Sequence, residues 1–102
     1  AVTNFTAWLA VYISQEYNSC VRVNALMPGF FLTEQNRFLL TQEGTGNLTA
    51  RGQAIIAHTP MGRFGEPEDW VGPALMILSD LGGFLHGTAV AIDGGFSVYS
   101  GV

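Results

Sequence analysis

Thr33, Gln35, Asn36 and Arg37 stand close together just beyond a Pro28-Gly29 break, and all four side chains can bind a polar ligand. The guanidinium of Arg37 matches a carboxylate through two parallel hydrogen bonds. Its alternative role is a solvated charge on a helix face. The hydroxyl of Thr33 can reach a ligand or cap the helix that follows, and one hydroxyl can serve either role. Pro28 and Gly29 shape the same wall. The missing side chain at Gly29 lets a flat ring approach the backbone, with a plain turn as the alternative. Asp93, followed by Gly94-Gly95, reads as an acceptor of backbone amides in a turn and not as a catalytic acid. The Asn24 amide reads as a tie between neighbouring segments.

Other chemistries find little support. His58 and His86 are far apart in sequence, without His-Glu-x-x-His spacing or a carboxylate pair beside them, so no metal site is expected. Gly44-x-Gly46-x-x-Thr49 lacks the third glycine and the preceding strand of a dinucleotide fingerprint, and reads as a turn. Cys20 is the one cysteine, which excludes an internal disulfide or a cysteine-based zinc site and fits a reducing cytoplasm.

The elements that position these residues can be read from their spacing. Apolar residues at 2, 5, 9, 12 and 13 predict a helix over Ala1 to Tyr17, with Trp8, Ala10 and Val11 spreading hydrophobicity around most of its circumference. Such a helix must be covered on more than one side, by the core of a larger domain or by another subunit. Alternation at Val21, Val23 and Ala25 predicts a strand over residues 20–27 that Pro28 stops. Open α/β sheets bind ligands at the carboxyl ends of their strands. Residues 34–59 carry two short helical patterns around Gly44-Thr45-Gly46-Asn47, each with a threonine (Thr33, Thr49) placed to cap it. They form either a lid over a site or an ordinary helical connection. Pro67-Glu68-Asp69 opens another helix, with Val71, Ala74, Leu75 and Leu78 on one face and a stop at Asp80-Leu81-Gly82-Gly83. Pro73 inside it predicts a kink between Asp69 and Pro73, because an interior proline costs ~3 kcal/mol. Thr88, Val90 and Ile92 then alternate in a last strand. The order helix, strand, lid, helix, strand predicts parallel pairing within a doubly wound α/β sheet.

Composition bounds the partners. A chain of 102 residues allows one small domain, burying about two thirds of the surface its unfolded form exposes. With 48% apolar and 12% charged residues, part of that apolar surface is expected to meet another chain or a missing half. A net charge of -4 and arginines at 22, 37, 51 and 63 provide no basic stripe for nucleic acid. The longest apolar run, Ala7 to Ile13, is far short of the ~20 residues of a membrane span. A soluble, cytoplasmic protein is the expectation.

Arg22-Val23-Asn24-x-x-x-Pro28-Gly29-x-x-x-Thr33, then Arg63-x-Gly65-x-Pro67-Glu68-Asp69, then Asp93-Gly94-Gly95, resembles the C-terminal part of the short-chain dehydrogenase/reductases. The resemblance runs from Ala1 to Val102. It implies a Rossmann-like sheet and NAD or NADP as cofactor. The implied cofactor contacts are Pro28, Gly29, Phe31 and Thr33, with the threonine and a backbone amide near Phe31 holding the nicotinamide carboxamide. It further implies a homodimer or homotetramer, with the Ala1 to Tyr17 helix and the last strand at subunit contacts. The stretch Pro28 to Arg37, with Thr59 to Asp69 and Gly95-Phe96-Ser97, is similar to that family's D-mannonate oxidoreductases, also called fructuronate reductases. That likeness implies a small sugar-acid substrate met by Gln35, Asn36 and Arg37. Phe31 departs from the Val or Ile that the family more often carries.

The family's catalytic Tyr-x-x-x-Lys pair is absent, since the sequence contains no lysine. No catalytic residue is therefore assigned, and the sequence reads as a piece cut just after that lysine, with the glycine-rich half that holds the pyrophosphate outside it. The alternatives are a non-catalytic assembly module or truncated remnant, or another sugar or polyol dehydrogenase of the same family. The isolated 102-residue protein is predicted to reduce no fructuronate with NADH or NADPH. Turnover above a no-enzyme control in a mass-verified preparation would overturn this.

Overall fold

The computed structural model describes residues 1–102. Its elements are α1 (Val2–Glu16), β1 (Ala25–Pro28), α2 (Arg37–Leu40), α3 (Ala50–Ala57), α4 (Val71–Leu78) and β2 (Ala89–Ile92), with single 3-10 turns at Pro67–Trp70, Asp80–Gly82 and Phe96–Val98. β1 and β2 pair as a two-stranded sheet. The Ala25 N–H donates to Thr88 O and the Gly29 N–H to Ile92 O, both at 2.9 Å. Both partners advance by four residues in the same direction, the signature of parallel strands, as the crossover order predicts. Two compact units make up the protein, Ala1–Met27 with Glu68–Ala91 and Pro28–Pro67 with Ile92–Val102.

In the first unit α1 buries its small residues and exposes its large ones. Thr6 and Ala10 are buried, and the Thr6 hydroxyl donates back to Val2 O at 2.8 Å. A side chain on Gly87 would come within 3.3 Å of Ala10 Cβ, so glycine there lets α1 approach the Gly87 backbone closely. Phe5, Trp8 and Tyr12 form an exposed stacked ladder at helical spacing, with ring centroids 5.8 and 5.1 Å apart.

The first strand is shorter than its alternating residues predict. Only Ala25–Pro28 is regular; just before it the Val23 carbonyl accepts the Gly87 N–H at 2.8 Å, while side chains make the other bonds at residues 23 and 24. The Val23 N–H donates to His86 Nδ1 at 3.1 Å. Asn24 donates to Leu85 O at 2.9 Å and accepts the Thr88 N–H at 3.2 Å, the tie expected of it. Since His86 Nδ1 is an acceptor, Nε2 carries the proton, and its neighbours at 2.8 Å are Ala10 O and the Ser14 hydroxyl.

The proline penalty expected in the next helix is avoided. A 3-10 turn covers Pro67–Trp70 and the α-helix proper starts at Val71. Pro73 thereby falls in the first turn, where a backbone N–H has no intrahelical partner to lose. The break falls within the predicted Asp69 to Pro73 interval. The face of Val71, Leu75 and Leu78 is exposed and is not covered by the rest of the molecule.

Arg22 holds the far end of α4. Its Nη2 donates to Ile77 O at 2.6 Å and Ser79 O at 3.1 Å, and Nη1 donates to Leu85 O at 3.2 Å. A cation at a helix C-terminus answers carbonyls that otherwise lack partners, and the guanidinium fork reaches several at once. Arg22→Ala is expected to destabilise the fold by about 2 kcal/mol. The measurement is a lower urea midpoint at unchanged slope. Arg22→Lys should recover only part of the loss, because an ammonium lacks the fork.

Candidate functional site

The second unit carries every residue assigned to the site. Its core is Leu40 and Ile55, with Thr59 buried beside them and donating its hydroxyl to Ile55 O at 2.8 Å. α2 and α3 form the expected pair of short helices. Thr49 caps α3 by accepting the Gly52 N–H at 3.1 Å, and it donates to Leu39 O at 2.7 Å. Gly44 and Gly46 turn the backbone between them with φ of 86° and 71°. Gly52 is buried where a side chain would strike Leu40 O, so the hairpin closes backbone to backbone.

Pro28 is the last residue of β1, as its missing N–H requires. Gly29 follows, but the space opened by its missing side chain is taken by the protein itself. A Cβ at Gly29 would lie 2.6 Å from the Cα and Cβ of Asp93, which corrects the expectation that the gap admits a flat ring. Asp93 plays the predicted turn role. Its carboxylate accepts the Gly95 N–H at 2.9 Å and the Ser97 N–H at 3.0 Å. The Phe96 ring in that turn meets Phe30 edge-on, with centroids 5.1 Å apart.

Phe31 forms a parallel bridge with Gly65, whose amide donates to Phe30 O at 2.9 Å. A side chain at Gly65 would strike the Phe31 ring. The larger residue at 31 is therefore housed by the glycine opposite it, and the backbone path at 31 does not depend on a Val or Ile.

Thr33 is exposed and lies before α2, not inside a cap of it. Its hydroxyl accepts the Asn36 N–H at 3.3 Å, while its own N–H donates to Asn36 Oδ1 at 2.8 Å. Asn36 Nδ2 also donates to Phe31 O at 2.8 Å. Of the three lid residues assigned to substrate, Asn36 thus spends its amide on the adjoining backbone. Gln35 and Arg37 are exposed. With Glu34, Phe38 and Thr41, Arg37 lines an open depression of about 630 Å³. The role of Asn36 was legible only as the spacing Thr33-x-x-Asn36, a relative of the Ser/Thr-x-x-Glu/Gln capping box.

These features agree with what the protein is similar to. The family model for enoyl-(acyl carrier protein) reductase matches residues 1–97, and the chain belongs to the short-chain dehydrogenase/reductase family. An uncharacterized oxidoreductase, UxuB, of Bacillus subtilis is 48% identical over the whole chain, which covers 36% of that protein. A crystal structure from Haemophilus influenza, of a protein provisionally named D-mannonate oxidoreductase and holding NAD, is 45% identical over 99% of the chain and 35% of its own length, at a TM-score of 0.83. A Beutenbergia cavernae protein provisionally named NAD(P)-dependent gluconate 5-dehydrogenase, with NADP at low occupancy, is 36% identical over 95% of the chain and 35% of its own, at a TM-score of 0.78. The fold is α/β with a parallel sheet, in keeping with the Rossmann-like fold of these relatives. The chain spans about a third of the length of the curated relatives it matches. No helix is long and apolar enough to cross a membrane.

The Asp93 carboxyl is held below its ordinary value of 3.8, first by the Ser97 hydroxyl, then by the Ser97 amide and, more weakly, by the Gly95 amide. A depressed folded value means that the ionised form contributes stability above the ordinary value, and that this contribution is lost as pH falls through the lower folded value. Asp93→Asn should therefore unfold earlier than the native protein at neutral pH, with the gap closing below pH 3.8. Thermal melts of both proteins from pH 7 to about pH 2.5 check this; a gap constant across the range would contradict it.

Proposed function

We propose that this protein forms the C-terminal part of an NAD(P)-dependent sugar-acid oxidoreductase that interconverts D-fructuronate and D-mannonate. Its contribution is the nicotinamide-side contact, the substrate lid and apolar surfaces for oligomer contacts. The observation that carries the reading is Thr33. Its hydroxyl takes one hydrogen bond from Asn36 and keeps its own proton for an outside acceptor, directly before a lid whose Arg37 guanidinium makes no ion pair within the molecule. Support comes from the NAD held by the Haemophilus relative and the NADP held by the Beutenbergia one.

The residues present fit the nicotinamide end of such a cofactor and nothing else of it. Thr33 donates to the carboxamide oxygen, and the backbone at Phe31, pinned by its bridge to Gly65, lines the same position. Pro28 and Gly29 place that backbone at the strand's carboxyl end. When bound, NAD(P)H supplies the hydride that reduces the carbonyl. The Tyr-x-x-x-Lys pair that donates the accompanying proton in the resembling family is not among these 102 residues, which contain no lysine, so no residue here is assigned that step. Arg37 receives the substrate carboxylate as a bidentate pair, and Gln35 offers an amide to the sugar hydroxyls. The exposed Phe5, Trp8 and Tyr12 ladder supplies the apolar surface for a second subunit.

A second sugar acid has specific support, because one of the relatives is provisionally a gluconate 5-dehydrogenase. The two readings share the carboxylate partner and differ in the hydroxyl contacts. In the intact enzyme, Arg37→Ala should lower kcat/KM for fructuronate by roughly 1.5–3 kcal/mol, about tenfold to a hundredfold or somewhat more, with cofactor affinity little changed. Thr33→Ala should instead weaken cofactor binding. Unchanged sugar-acid turnover, or equal impairment of neutral polyols, would return Arg37 to a solvated helix-face charge. Faster turnover of 5-ketogluconate than of fructuronate by the unaltered enzyme would favour the gluconate reading.

A further inference from the structure

Asn36 answers both ends of the segment from Phe31 to Thr33. Its Oδ1 accepts the Thr33 N–H at 2.8 Å and its Nδ2 donates to Phe31 O at 2.8 Å. A backbone N–H can only donate and a carbonyl can only accept, so a single orientation of the amide satisfies both, and no other side chain of this length carries that pair of groups. The third bond concerns the hydroxyl. The Asn36 N–H donates to Thr33 Oγ1 at 3.3 Å, which makes the oxygen the acceptor on that side and leaves its hydrogen to the rotamers directed elsewhere. No group of the protein accepts that hydrogen.

We propose that Asn36 is a positioning residue for the cofactor and not a substrate contact: it clamps Phe31 to Thr33 and presets the Thr33 hydroxyl as a donor toward the nicotinamide carboxamide. The inference rests on the reading of Thr33 given above. It revises the assignment of Asn36 made from its place beside Arg37. Asn36 is half-buried while Gln35 and Arg37 on either side of it are exposed, in keeping with an inward and an outward role on one short turn. Preorganisation of this kind acts by removing the ordering cost of the donor, so its loss falls on binding of the nicotinamide ring and not on the adenine end.

The test compares two ligands in the intact enzyme, the reduced cofactor it uses and the matching ADP-ribose, with 2′-phosphate if that cofactor is NADPH. ADP-ribose lacks the nicotinamide. Asn36→Ala should weaken the reduced cofactor about tenfold while ADP-ribose affinity stays within about twofold. Asn36→Asp, which keeps the acceptor for the Thr33 N–H and loses the donor to Phe31 O, should show a smaller loss of the same selectivity. If Asn36 acts through Thr33, adding Asn36→Ala to Thr33→Ala should cost little more than Thr33→Ala alone. Unchanged cofactor affinity in Asn36→Ala overturns the proposal, as does full additivity with Thr33→Ala. Equal loss of both ligands in the Ala and Asp variants also overturns it, since the clamp would then serve the fold at large. The underlying reading fails separately: Thr33→Ala would then leave the ratio of the two affinities unchanged.

Discussion

Gly29 has no room for a side chain, because Asp93 stands where its Cβ would be. Much of the site follows from that close approach. Where β1 ends, the Gly29 amide bonds Ile92 O, and the residue after Ile92 is brought against the backbone of the one after Pro28. Asp93 can then fold its carboxylate over the amides of Gly95 and Ser97, which turns Phe96 onto Phe30. Met61 completes the arrangement by donating its amide to Gly94 O at 3.1 Å. A Cβ at Gly94 would lie 2.9 Å from the Thr59 methyl, and at Gly95 within 3.1 Å of the Pro60 ring. At both positions the left-handed backbone and the crowding demand the same residue.

On that base, a short run of residues falls into two structurally different parts. Phe31 is seated on Gly65 and Thr33 is tied to Asn36, so the backbone between them is held from both sides. Just beyond, Gln35 and Arg37 are exposed. The hydrogen-bonded part has its Phe31 carbonyl, Thr33 N–H and Asn36 amide spent on the protein itself. The exposed part keeps its side chains open to solvent.

The apolar residues tell a complementary story. Ala10, Leu40 and Ile55 are the buried hydrophobic residues, while Phe5, Trp8, Leu75, Leu78 and Phe84 are exposed. A helix that buries alanine and threonine and exposes phenylalanine and tryptophan leaves a large apolar face open at the surface.

Element types were legible in the residues themselves wherever a local rule sufficed. Helical spacing marked α1, Thr49 and the Gly44/Gly46 turn marked the lid hairpin, and Pro67 marked the start of a helical turn, because caps, turns and periodicity depend on neighbours a few positions away. The turn role of Asp93 and the tie made by Asn24 are legible for the same reason: a short polar side chain beside glycines or within a strand end has few partners to choose from. Tertiary structure decided what lay far off in sequence. The space at Gly29 went to Asp93, the residues before the regular part of β1 were held by His86, the Asn24 side chain and the Gly87 amide, and Arg22 found carbonyls more than fifty residues away. Asn36 fell between the two. Its partners are local, yet whether its amide faces the backbone or a ligand depends on a turn geometry that residue type does not specify.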